Sequence, residues 1–137
     1  MSVRKQLTVA WQNRPGELAN VCRVLAEVGV NIEALATAEA GEYGAVRMLV
    51  DDVDKARKVF HDAGVAHTTI DVLVLEFSNH PGALAEVAGK LSAERINIEY
   101  FYSAVAPGVE RALGVFKVSD PQRGDEIAAG MMKNDDE

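Results

Sequence analysis

Cysteine is almost absent. The 137 residues hold one, Cys22, so no disulfide can form within the chain. That fits a reducing compartment and points to a cytoplasmic home. Histidine is sparse and scattered, at His61, His67 and His80. One cysteine and three separated histidines do not make the clustered ligand set of a metal site, so no metal and no cofactor is expected. Basic charge is short as well. Lys and Arg number 14 against 21 Asp and Glu, for a net charge of −7, and no basic run exceeds Arg4-Lys5. Such a chain is poorly suited to a polyphosphate backbone, and no nucleic acid partner is expected. No apolar run reaches the length of about 18 residues that a membrane helix needs. The opening MSVRKQLTVAW lacks the long apolar core and small-residue cleavage site of a signal peptide and reads as a first strand. No nucleophile–base–orienter set or paired-carboxylate pattern stands out, so the chain is not expected to be an enzyme.

What is present is a stretch written twice. Residues 13–35 read NRPGELANVCRVLAEVGVNIEAL and residues 79–101 read NHPGALAEVAGKLSAERINIEYF. Ten of the 23 aligned positions are identical, at a constant offset of 66. A gapless self-match of this length signals internal duplication. Two domains follow, residues 1–69 and 70–137. A unit of about 66 residues buries only about 60% of its unfolded surface, so each half is expected to pack against other protein, and the whole to form a homodimer.

Hydrophobic periodicity places the elements. Residues 3–11 are rich in β-formers and read as a strand. Asn13-Arg14-Pro15-Gly16 ends it, and Pro15 suits a helix start. Leu18, Val21, Cys22, Leu25 and Val28 recur at steps of three and four and form one apolar stripe, with Gly29 as the stop. Residues 30–38 and 45–50 read as a hairpin around Glu39–Tyr43. Asp51 or Asp52 caps a second helix with the stripe Val53, Ala56, Val59 and Phe60, ended by Gly64. A strand then begins near Val65. The order is β-α-β-β-α-β, the ferredoxin-like unit. Copy two starts without a linker, so residues 65–78 must supply the last strand of one copy and the first of the next. Its helix carries Leu84, Val87, Ala88 and Leu91. Strands over 96–104 and 111–118 flank a turn at Pro107-Gly108, and Asp120-Pro121 opens a short helix. The chain then ends in an acidic tail, Asp135-Asp136-Glu137, without a last strand. Another strand is expected to cover that edge.

The two Asn-x-Pro-Gly-x-Leu-Ala turns, each followed by Asn-Ile-Glu, resemble the ACT domain, and the whole chain resembles small proteins made of two ACT domains in tandem. The resemblance implies an α+β fold of two ferredoxin-like βαββαβ repeats, with antiparallel sheets and helices on one face. It implies a non-enzymatic regulatory protein that binds an amino acid or similar small effector at the interface between the domains, near the loop from first strand to first helix. Any regulated target, such as a metabolic enzyme, would be a separate protein. In the serine-regulated members an Asn before Arg-Pro-Gly and an Asn opening the next strand contact the effector. Those positions are Asn13 and Asn31 here, and Asn79 and Asn97 in copy two. The histidine that such members carry two residues before the first Asn is replaced by Trp11 and Phe77, which makes a more apolar amino acid as reasonable an effector as serine.

The residues suit that chemistry. An Asn side chain both donates and accepts, so it can address either end of a zwitterion. Gly16 and Gly82 let the backbone approach a small ligand. The first helical turn favours a carboxylate. The expected ligand-binding residues are therefore Asn13, Arg14, Gly16 and Asn31, and Asn79, His80, Gly82 and Asn97. The same Asn-x-Pro-Gly sequence also serves as a plain strand-to-helix turn, which leaves a structural adaptor without a ligand as the alternative. Trp11, Phe77 and Cys22 read as packing residues, and Arg14 against His80 makes the two sets unequal.

Overall fold

The computed structural model describes residues 3–104, 108 and 110–135. Pro107 and the end of the acidic tail, Asp136 and Glu137, lie outside the described residues. Ten elements follow in order: β1 (Val3–Gln12), α1 (Glu17–Glu27), β2 (Ile32–Ala40), β3 (Tyr43–Val50), α2 (Val53–Asp62), β4 (His67–Ser78), α3 (Ala83–Ala93), β5 (Ile98–Ala104), β6 (Arg111–Val118) and α4 (Pro121–Asp135). They form two compact units, Lys5–Ile70 and Asp71–Glu137 with Met1–Arg4. The boundary falls inside β4, so one continuous strand ends the first β-α-β-β-α-β series and begins the second.

In the first unit the strands lie in the order β2-β3-β1-β4. β3 is antiparallel to both β1 and β2, with Trp11 opposite Gly44, Val9 opposite Val46 and Leu7 opposite Met48. Side chains alternate along a strand, so these six share one face. Helices α1 and α2 cover that face: Val21 and Leu25 from α1, and Ala56 and Phe60 from α2, are buried in one cluster with Leu7, Val9, Val46, Met48 and Val50. Asp52 caps α2 through its side chain, which accepts the Lys55 N–H at 3.1 Å.

The second unit repeats the plan with the order β4-β6-β5, all antiparallel. Leu73, Leu75, Val87, Leu91, Ile96, Phe116 and Val118 form its core. Val3 and Arg4 group with this unit, and β1 is the neighbour of β4.

Two sequence expectations need correction. The last helix is not short: α4 runs for 15 residues. Gly124 does not cut it but lets it approach the sheet, since a Cβ there would already lie 3.0 Å from Leu73 Cδ2. Leu84 does not belong to the buried stripe of α3; it is 39% exposed, and Ala83 takes the inward place with Val87 and Leu91.

Candidate functional site

The repeated turn has the same backbone in both copies. Asn13 N–H donates to the Glu42 carbonyl at 2.8 Å, and Asn79 N–H to the Glu110 carbonyl at 2.8 Å. Each bond ties the turn to the hairpin of its own copy. Arg14 and His80 fold back in the same way, their N–H groups reaching the carbonyls of Gln12 and Ser78 at 2.9 and 3.0 Å. Gly16 and Gly82 follow at φ of 90° and 88°, a left-handed conformation that a side chain resists. No side chain caps either helix there. The Glu17 and Ala83 N–H groups donate back to the Arg14 and His80 carbonyls at 3.4 and 3.2 Å, and the next two N–H groups of each helix are left to water or a ligand.

The second asparagine of each motif sits elsewhere. Asn31 is bound through its backbone to Asp51, two residues before α2: its N–H donates to Asp51 Oδ1 at 2.9 Å, and its carbonyl accepts the Asp51 N–H at 3.1 Å. Asn97 does the same with Ser119, at 3.0 Å each way. Within the first unit, Gln12 pairs with Tyr43, which pairs with Ala40, whereas Ile32 pairs with Val50. Asn13 and Asn31 therefore stand at opposite ends of the sheet. That unit brings together Asn13, Arg14 and Gly16, and it keeps Asn31 away from them.

Two adjoining hollows open at the Asn13 end. The larger, of about 340 Å³, is lined by the end of β1 (Ala10, Trp11, Gln12), the start of α1 (Glu17, Asn20, Val21), Tyr43 and residues 64–66. The smaller, of about 290 Å³, is lined by Gln12, Asn13, Arg14, Glu42 and Tyr43. Arg14 Nε and Glu17 Oε1 form an ion pair at 2.8 Å, one partner in each hollow. Asn20 Oδ1 accepts from Arg23 at 2.7 Å, which leaves its amide N–H groups for an acceptor. Trp11 Nε1 is buried without a hydrogen-bond partner. Tyr43 is 61% exposed at the shared rim.

The motif pointed to Asn13, Arg14, Gly16 and Asn31 in copy one, and of these Asn13 and Arg14 line the hollows. It missed Glu17, Asn20, Gln12 and Tyr43 as lining residues. Glu17 and Asn20 lie one turn apart at the start of α1 and were legible as its polar side. Tyr43 is brought in by strand pairing, which leaves no local signal. Copy two does not offer the same groups. At the offset of 66, Ala83 replaces Glu17, Glu86 replaces Asn20 and His80 replaces Arg14. Phe77 replaces Trp11 and packs inward: a Cβ on Gly114 would lie 2.8 Å from its ring.

Among the described residues no helix is long and apolar enough to cross a membrane, and no group of His, Cys, Asp or Glu could hold a metal ion. No curated protein matches the chain. Among solved structures, protein BT0572 from Bacteroides thetaiotaomicron is 37% identical over 96% of this chain and 90% of its own, with a TM-score of 0.89. The regulatory subunit of aspartate kinase from Thermus thermophilus shares the fold at 14% identity and a TM-score of 0.71, covering 97% of both chains. That from Thermus flavus does so at 18% and 0.68, covering 93% of this chain and 92% of its own. A family model described as an ACT domain pair matches residues 1–134. That span holds both Asn-x-Pro-Gly turns and both units, so the chain belongs to the family of ACT domain pairs, which are regulatory modules.

Proposed function

We propose that this chain is a non-catalytic regulatory protein that binds a free amino acid in the paired hollows at the end of β1. The observation that carries the reading is the Arg14–Glu17 pair, a cation and an anion 2.8 Å apart on the walls of adjoining hollows. A zwitterion has the complementary pattern. Its carboxylate suits Arg14 and the open first turn of α1. Its ammonium suits Glu17. Its side chain would lie against Trp11, Val21 and Val65, which favours an apolar or aromatic amino acid. The pair does little else. The Arg14 side chain is 65% exposed, and surface ion pairs contribute about 0–1 kcal/mol to folding. Copy two lacks both charges, so one ligand per chain is expected.

The test is a thermal-melt panel with the twenty amino acids. A ligand at about 100 times its Kd that binds only the folded state adds about 2.7 kcal/mol and raises the melting temperature visibly. A selective rise, abolished by Glu17→Gln, supports the reading. A flat panel overturns it in favour of an adaptor that binds no ligand.

A further inference from the structure

Among the described residues, helix α2 carries most of the basic side chains without a partner. Of the described arginines, only Arg57 and Arg95 have side chains without a hydrogen-bond or ion-pair partner; Arg14, Arg23, Arg111 and Arg123 are all engaged. Lys58, beside Arg57, has no such partner among the described residues either. Arg57 and Lys58 line a hollow of about 340 Å³ together with His61, one turn further along α2, and His67 at the start of β4. Asp54 is the one acid on its wall.

His67 is held in place. Its Nδ1 lies 2.8 Å from the Val65 carbonyl, and its ring packs on Phe60 at 5.6 Å between centroids. A carbonyl oxygen only accepts, so Nδ1 carries the proton and Nε2 is left for a ligand. The hollow thus presents a planar guanidinium fork, an ammonium and two imidazoles. A carboxylate places its acceptor sites on two coplanar oxygens, one edge of which the Arg57 fork alone takes up. A phosphate group offers three terminal oxygens in a tetrahedral array, and Arg binds it bidentately. The dipole of α2 works against an anion near its last turn, but by less than two charge-assisted bonds supply.

We propose that the hollow between α2 and the start of β4 binds a phosphate group, free or as the head of a small monoester. The site is separate from the amino-acid hollows and does not rest on them. Liquid water occupies about 30 Å³ per molecule, so a bare phosphate would leave most of the space unfilled and an ester would use more of it.

The test follows the ring resonances of His61 and His67 by NMR during titration with inorganic phosphate, glycerol 3-phosphate and acetate. Saturable shifts with either phosphate, but not with acetate, are expected. Tighter binding of glycerol 3-phosphate assigns the ester, and equal binding assigns the phosphate alone. Arg57→Gln, on an exposed helix position, should weaken binding by about ten- to a hundredfold, the loss of one charge-assisted hydrogen bond. Lys90→Gln on α3 should leave it unchanged. The absence of saturable shifts overturns the proposal, as would equal shifts with acetate or undiminished binding in Arg57→Gln.

Discussion

Trp11 lies directly across the β1–β3 pair from Gly44, and the indole N–H rests over the glycine with no acceptor. A Cβ at Gly44 would fall 2.6 Å from Trp11 Nε1 and 2.4 Å from the Ala38 carbonyl oxygen. The glycine is therefore what admits an indole at this position. An unsatisfied buried N–H costs about 1–3 kcal/mol, so this ring is held at some expense in the wall of the larger hollow.

Gly44→Ala should destabilise the first unit by about 1–3 kcal/mol, because the new methyl meets backbone as well as the indole and neither can move freely. Urea denaturation followed by circular dichroism would measure it. An unchanged midpoint would show that β2 and β3 separate more easily than their pairing indicates.

Gly89→Ala should do the opposite. Gly89 lies inside α3, and a Cβ there meets nothing within 4 Å. Removing a glycine from an exposed helix interior stabilises by about 0.5–1 kcal/mol. The same denaturation experiment should show a higher midpoint with an unchanged slope.

Asp52→Ala should cost about 1 kcal/mol, since it removes the cap at the start of α2. Asp51→Ala addresses a different bond, the one from Asn31 N–H. Hydrogen exchange separates the two: faster exchange at Lys55 is expected for the first and at Asn31 for the second.

These elements differ in how far the amino-acid sequence revealed them. The stripes of α1 and α2 were legible because Val21, Leu25, Ala56 and Phe60 fall at helical spacing and all point into one core. The duplication gave the β-α-β-β-α-β order and the shared strand over residues 65–78. The length of α4 was not legible. Gly124 reads as a weak helix residue when its cost is counted locally, whereas packing against Leu73 rewards the missing side chain. Leu84 was misplaced because spacing alone does not set the rotation of a helix. In α3 Ala83 takes the inward place instead. The edge beside β4 was recognised as needing cover. The neighbour of β4 in the strand order, β1, opens the chain and lies beyond the reach of any local pattern. At the candidate site the turn was legible and the opposite wall was not, because Tyr43 reaches it only through the register of β3 on β1.

Trp11 is the only tryptophan in the chain, so intrinsic fluorescence reports on the hollow that the proposed amino acid would occupy. Titration with the amino acid selected by the melt panel should change its emission saturably. Arg14→Gln and Glu17→Gln each remove one half of a charge pair. Each should weaken binding by about ten- to a hundredfold, the range for a charge-assisted hydrogen bond. Neither should shift the melting temperature of the free protein by much, since the pair is exposed. His80→Gln makes the matching change in copy two, which lacks an acid at position 83, and should leave the titration unchanged. If His80→Gln weakened binding as much as Arg14→Gln, the ligand would belong to both copies, and the single-site reading would fail.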